Sequence, residues 1–433
     1  MPLDNMKDLL EAANDGVFEF GATEPEVLDV HPAEAFEPAA DETATDEFLK
    51  ALKLDTWTSG QQMDTLAARL EREVETAARH EDEMAPSVLA TLERSLPNAA
   101  DRSVESGVYS LRVEDVVKAT SNILFNGCVE AADGTRVTVP TLPLTVYQIG
   151  ICLTSYQGAG DGGALGNRFY RQDITSPNAN PETQVLDFLM KRSRRKRNEI
   201  VRPETGADGH PMDISDMMSR ALMIYGERAM LCDRSSKPWR MGHGGPMPHE
   251  MITGSGRNAM AFASVDMLRR LLIGHKRFIF VPSEISDYAL VTIANALRPL
   301  QYAVIRNTWD IIDGYMDGSS FNRPHYRDSG LYAAVREFQK DVAPKVLLCV
   351  YRASAICPGQ LFYAHEDYVH EAAQIVMADS VMQEARGFPN LIDVADRLCR
   401  GFFEPGGVSA QVQAAFAKSG ASFRYLAERD TRA

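Results

Sequence analysis

The sequence predicts an α/β protein, a mixed sheet flanked by helices behind an acidic, partly disordered helical N-terminal extension. Three observations predict it. Two β-rich runs flank Gly158–Gly166, a nine-residue segment with five glycines, so residues 144–175 read as a strand hairpin with a wide turn. The first run is apolar on both faces (Val146, Ile149, Ile151, Leu153), the pattern of a central strand buried on both sides. Beyond the hairpin, helical and strand patterns alternate.

The extension comes first. Residues 4–13 suit a short helix, whereas 14–46 mix Glu, Asp, Ala and Pro with few large apolar groups and read as a disordered linker. Met63, Leu66, Ala67, Leu70, Val74 and Ala77 have helical spacing, predicting a helix over 60–83 and a second over 86–95. Residues 1–100 form the extension, expected to pack on the core only at 60–83, and 101–433 form the main domain. A solvated arm, a docking arm for a partner and a mimic of nucleic-acid charge all fit the acidic segment.

In the main domain a helix begins near Val113, and Asp133-Gly134 between alternating segments signals a hairpin turn. After the 144–175 hairpin, Pro181 opens a helix running into Lys191, Arg192, Ser193, Arg194, Arg195, Lys196 and Arg197, the most basic stretch of the chain. Such a run is either a solvated helix end or, facing a groove, a phosphate-binding strip. Helix 213–231 carries Glu227 among Met223, Ile224, Met230 and Leu231 at helical spacing. Then follow the Gly- and Pro-rich segment 238–249, helix 257–273, strand 277–282, helix 286–297 and strand 302–306. A loop at 314–329, helix 330–341, strands 345–353 and 360–364, and helix 371–386 lead to Gly387. Asn390 is placed as the cap of a last helix with Asp393 at its third position.

The chain of 433 residues carries a net charge of −15, unevenly spread. Residues 1–100 hold 23 acidic and 7 basic side chains, the rest 37 and 38, so the main domain is free to meet nucleic acid. No run of eighteen apolar residues and no signal peptide is visible, which predicts a cytoplasmic protein with no membrane contact. The six cysteines are scattered without a Cys-x-x-Cys pair, predicting reduced thiols and neither a zinc site nor a disulfide framework.

Two motifs fail on context. Gly158-x-Gly160-x-x-Gly163 has the letters of a dinucleotide fingerprint, but a strand-like run follows where a helix N-terminus would have to hold the pyrophosphate. His365 and His370 stand five apart, one too many for two imidazoles on one helix face.

The remaining pattern is shared with ribonuclease H-like nucleases, which hold two divalent cations on carboxylates at strand ends. Within that group the chain resembles the NurA family over roughly residues 140–430. The likeness rests on the strand Val146–Ser155, the helix with Glu227, the segment Trp239–Met247, and Gly387-Phe-Pro-Asn-Leu-Ile-Asp-Val-Ala-Asp396. The resemblance implies a ribonuclease H-like fold, DNA as substrate, Mg²⁺ or Mn²⁺ as cofactor, a homodimer, and a hexameric DNA-translocating ATPase of HerA type as partner.

The departures fall on the family's functional positions. The family's first strand ends in Asp-Gly-Ser, where Ile151-Cys152-Leu153-Thr154-Ser155 has no carboxylate; its later Asp-Gly falls on Gly242-His243, and its C-terminal His on Asp396. Glu227, His243 and Asp396 are therefore the candidate catalytic residues. Glu227 and Asp161 are the candidate metal ligands, with Asp173 and Asp233 as further carboxylates, and the basic residues 191–197 are the candidate DNA contacts. Three readings follow: a metal-dependent DNA nuclease in bacterial repair or anti-phage defence, a catalytically inactive DNA-binding adaptor or regulator on the ATPase ring, and a PIWI-like nucleic-acid-binding module.

Overall fold

The structure, a computed structural model, describes residues 52–53, 63–99, 102–170, 182, 189, 216–285, 287–317, 329–383, 385–403 and 405–424. The chain divides into two units, residues 1–72 and 73–433. Among the described residues the strands are β1 (Gly107–Ser110), β2 (Val129–Pro140), β3 (Leu144–Ser155), β4 (Gly158–Tyr170), β5 (Trp239–His243), β6 (Phe278–Val281), β7 (Gln301–Asn307), β8 (Val346–Arg352) and β9 (Gln360–His365). The helices are α1 (Met63–Ser95), α2 (Val113–Ala119), α3 (Asp216–Ala229), α4 (His249–Ile252), α5 (Asn258–Arg269) and α6 (Tyr288–Ala296). They continue with α7 (Trp309–Asp317), α8 (Leu331–Val342), α9 (Val369–Val381), α10 (Asn390–Phe402) and α11 (Pro405–Lys418).

The strands form one mixed sheet in the order β1-β7-β8-β9-β6-β5-β2-β3-β4. Only β2, β5 and β6 run parallel to one another, and every other pairing is antiparallel. Alternation along the strands sorts the core. Val129, Ala131, Met241, Ile279, Val281 and Cys349 face a layer built by α2, α9 and α10. On the opposite face Ala132, Leu153, Phe278 and Phe280 meet α4, α5 and α8, while Ala303, Leu348 and Val350 meet α6 and the end of α1. Covered on both sides, β6 (Phe-Ile-Phe-Val) is wholly buried, as its unbroken apolar run requires. Helix α8 buries Leu331, Val335, Phe338 and Val342, spaced to form one stripe against the sheet.

Each parallel strand is entered the same way. Helices α2, α3 and α5 end in π-helical turns over Thr120–Leu124, Met230–Arg234 and Arg270–His275. In each, a backbone N–H reaches five residues back: Phe125 to Thr120 (2.9 Å), Ser235 to Met230 (3.1 Å) and Lys276 to Leu271 (3.3 Å).

Several expectations are corrected. Asp133-Gly134 is not a turn but the interior of the continuous strand β2, paired with Cys152 and Ile151 of β3. The glycine-rich segment is not a turn either: Gly158–Gly166 lies in β4, and Tyr156 and Gln157 turn the hairpin. At Gly160 a glycine serves because the strand runs close to a neighbouring side chain; a Cβ there would lie 2.5 Å from the Glu130 carboxylate. Strand β3 is second from the sheet edge, not central, and is buried only over its second half, Ile149–Ser155. The helices expected at 60–83 and 86–95 are one helix, α1, with Pro86 inside it. Its packed residues are Leu89 and Leu92, followed by Leu96, whereas Leu66, Leu70 and Val74 are exposed. Part of the expected loop 314–329 belongs to α7. Asn390 is the first residue of α10 and not its cap; the Asp379 carboxylate instead accepts from the Leu391 N–H at 2.9 Å. The segments 4–13, 14–46 and 191–197, and Asp173, lie outside the described residues.

Candidate functional site

The parallel pairing of β2 with β5 has its last pair at Ala132 and Gly242, and β2 runs on beyond it to Pro140. One step further, Asp133 and His243 point to the α10 face, with Asp133 Oδ1 3.6 Å from His243 Nδ1. The opposite face belongs to α3. There Gly134 leaves room for Glu227: a Cβ at Gly134 would sit 2.7 Å from Glu227 Oε1 and 2.8 Å from Met223 Cγ. The glycine that suggested a turn therefore admits a carboxylate from the helix.

The residue that organises the site is Arg228, which is 2% exposed. Its Nη1 donates to Glu227 Oε2 at 2.6 Å, and its Nη2 donates to the carbonyls of His243 (2.9 Å) and Gly245 (2.8 Å). Gly244, at φ +81, makes the turn from which both carbonyls face the guanidinium. The cation also lies over the Phe280 ring, 5.2 Å from its centroid. Arg228 thus joins Glu227 on α3 to the end of β5.

Burial dominates the electrostatics. It pushes the Glu227 carboxyl up to about 7, against the pull of Arg228, and Asp133 adds to the rise. Burial also lowers Arg228, opposed by Glu227 and Asp133. His243 is raised above its ordinary value, chiefly by its contact with Asp133. Behind Asp133, burial raises the thiols of Cys152 on β3 and Cys399 on α10, the latter to about 12.

Of the residues singled out in the sequence, Glu227 and His243 are brought together, through Arg228. Asp396 lies on α10, where its Oδ1 accepts from Arg400 Nε at 2.8 Å, the i, i+4 pairing of a helix surface. Asp161 lies on β4, its carboxylate 3.9 Å from Arg234, and Asp233 accepts from Arg270 at 2.5 Å. Sequence reasoning missed Asp133 and Arg228. Asp133-Gly134 was legible as an Asp-Gly pair between apolar segments, but that pair reads as a turn until β2 is seen to run through it.

The resemblance implies Mg²⁺ or Mn²⁺, and the residues do not fit a two-metal site. One oxygen of the buried Glu227 carboxylate is taken by a guanidinium, and Asp133 faces an imidazole. Among the described residues no three His, Cys, Asp or Glu side chains are grouped to hold a metal ion. No helix of the described residues is long and apolar enough to cross a membrane.

No family model and no curated protein matches the chain. Solved NurA nucleases are similar to it. The crystal structure of the NurA nuclease from Sulfolobus solfataricus is 8% identical at a TM-score of 0.44, covering 84% of this chain and 98% of its own. A crystal structure of NurA with manganese is 10% identical at 0.33, covering 78% and 94%. One of NurA bound to dAMP and manganese is 11% identical at 0.28, covering 78% and 93%. The structures to which this chain is similar are thus those of NurA nucleases, two of them holding manganese.

Proposed function

We propose that this chain is a DNA-handling protein of NurA type, with a ribonuclease H-like core, that acts on a HerA-type hexameric ATPase as an adaptor and does not cleave DNA by two-metal catalysis. The observation that carries the loss of cleavage is the Arg228 guanidinium seated against Glu227 at 2.6 Å. Two-metal cleavage needs several oxygen ligands converging on cations that clamp the attacking and leaving oxygens. Here the helix carboxylate is neutralised by a side chain of its own protein. The ATPase partnership and the DNA substrate rest on the sequence resemblance, and DNA contact on the basic run 191–197.

A second reading, a metal-dependent nuclease, is favoured by Asp133, a carboxylate on β2 close enough to Glu227 to raise its pKa. Purified protein incubated with linear DNA and Mg²⁺ or Mn²⁺, with and without the ATPase, separates the two. The adaptor reading expects salt-sensitive DNA binding without cleavage. Changing Lys191, Arg192, Arg194, Arg195, Lys196 and Arg197 to Ala should weaken that binding and flatten its salt dependence. Divalent-dependent cleavage by the isolated chain, lost on Glu227→Gln, overturns it.

A further inference from the structure

We infer that the Arg228 guanidinium is the resident cation of this pocket, and that removing it leaves a site for one divalent cation of the Mg²⁺ or Mn²⁺ class. The inference rests on the reading above that the pocket does not hold metals as it stands.

The seat has the composition of a cation site. Four oxygens surround the guanidinium: Glu227 Oε2, the His243 and Gly245 carbonyls at 2.6, 2.9 and 2.8 Å, and the Ile224 carbonyl of α3 at 3.4 Å. All are hard donors, the kind that Mg²⁺ and Mn²⁺ prefer to thiolates or thioethers. Asp133 adds a second negative charge that acts on both Glu227 and Arg228. Two carboxylates in a buried site demand positive charge: Arg228 supplies it beside Glu227, and His243 stands against Asp133.

The fit is to charge more than to shape. Arg228 Nε is buried and has no hydrogen-bond partner, so the seat leaves one donor of the guanidinium unused. A side chain evolved into a fully matched ion pair would engage its Nε as well as its terminal nitrogens. The loop is also shaped for a close approach: Gly244 takes a positive φ, and a Cβ there would stand 3.3 Å from Arg228 Nη2. Without the guanidinium, the two carbonyls and the Glu227 carboxylate face a cavity that admits an ion retaining part of its water shell. A divalent cation then restores the lost charge.

Mn²⁺ binding is the test, followed by electron paramagnetic resonance and by thermal melting of the full-length chain at pH 8. Wild type should show no Mn²⁺-dependent rise in melting temperature. Arg228→Met, which keeps the bulk of the stem, should bind one Mn²⁺ at least about tenfold more tightly than wild type. It should also melt higher with Mn²⁺, and adding Glu227→Gln should abolish both effects. An Arg228→Met chain that folds only with Mn²⁺ present supports the inference equally. It is overturned if folded Arg228→Met ignores Mn²⁺, if it stays unfolded with and without Mn²⁺, or if wild type binds Mn²⁺ as tightly through Glu227. Cleavage of DNA by wild type would instead sink the adaptor reading, so the two failures are told apart.

Discussion

Asp133 and His243 stand side by side on two parallel strands, one step past their last paired residues, carboxylate to imidazole, 3.6 Å apart. The contact holds His243 protonated to a higher pH than an ordinary histidine. For a histidine raised on folding, the stabilisation is fully present below the unfolded pKa, about 6.5, and is lost as pH rises through the folded value. Asp133→Asn should therefore lower the His243 titration midpoint seen by NMR. It should also cost more stability at pH 5.5 than at pH 8.5, and an unchanged midpoint would refute the contact.

The Glu227–Arg228 pair gives a prediction about stability. Removing one partner of a buried ion pair strands the other charge, at a cost of about 3–5 kcal/mol. Glu227→Ala should show a loss of that size in urea denaturation. Glu227→Ala combined with Arg228→Met should lose less than the sum of the two single changes, because no charge is left stranded. Additive losses would mean that the side chains do not act as a pair.

Away from the site, Asp379 ties α9 to α10. Wholly buried, it accepts from the Tyr156 hydroxyl at 2.5 Å and from the Leu391 N–H at 2.9 Å. Burial raises its carboxyl to about 6 in spite of those donors. A carboxyl raised on folding binds more protons folded than unfolded, so its contribution falls as pH climbs from about 4 through 6. Asp379→Asn should remove that slope from a plot of melting temperature against pH. Tyr156→Phe should cost about 1–3 kcal/mol by leaving a buried acceptor short of its donor.

Gly134 tests the path of Glu227 to the sheet. Gly134→Ala places a methyl 2.7 Å from Glu227 Oε1, an atom whose carboxylate Arg228 holds in place. The loss should be about 1–3 kcal/mol, the usual range for overpacking, despite alanine's better fit to a strand. A neutral or stabilising change would place Glu227 elsewhere.

What the sequence reveals and what it hides both follow from how far apart the causes lie. Helices such as α8 and strands such as β6 are written in local spacing, so their existence and order are legible. The two Asp-Gly and Gly-rich segments mislead, since turn composition is also what a strand needs where Glu227 or Glu130 presses against its backbone. Glu227 could be singled out by its apolar helical neighbours. Arg228 could not: adjacent residues on a helix point apart, and its burial depends on carbonyls fifteen and seventeen positions away. Asp133 became visible as a site residue only once β2 was seen to run through it beside β5.

The π-helical turns that lead into β2, β5 and β6 carry a consequence for which length changes this chain tolerates. Each holds one residue more than an α-turn, so deleting a single residue there lets the helix close normally while the following strand slides by one position. A strand's side chains alternate, so the slide turns every one to the other side of the sheet. At Met230–Arg234 such a deletion would send His243 towards α3 and bring Gly244 opposite Asp133. Loss of one codon in any of these three joints should therefore dismantle the site while leaving helices and strands of nearly the same length. Natural relatives that keep the site should be uniform in length at these joints and vary in the loops between other strands.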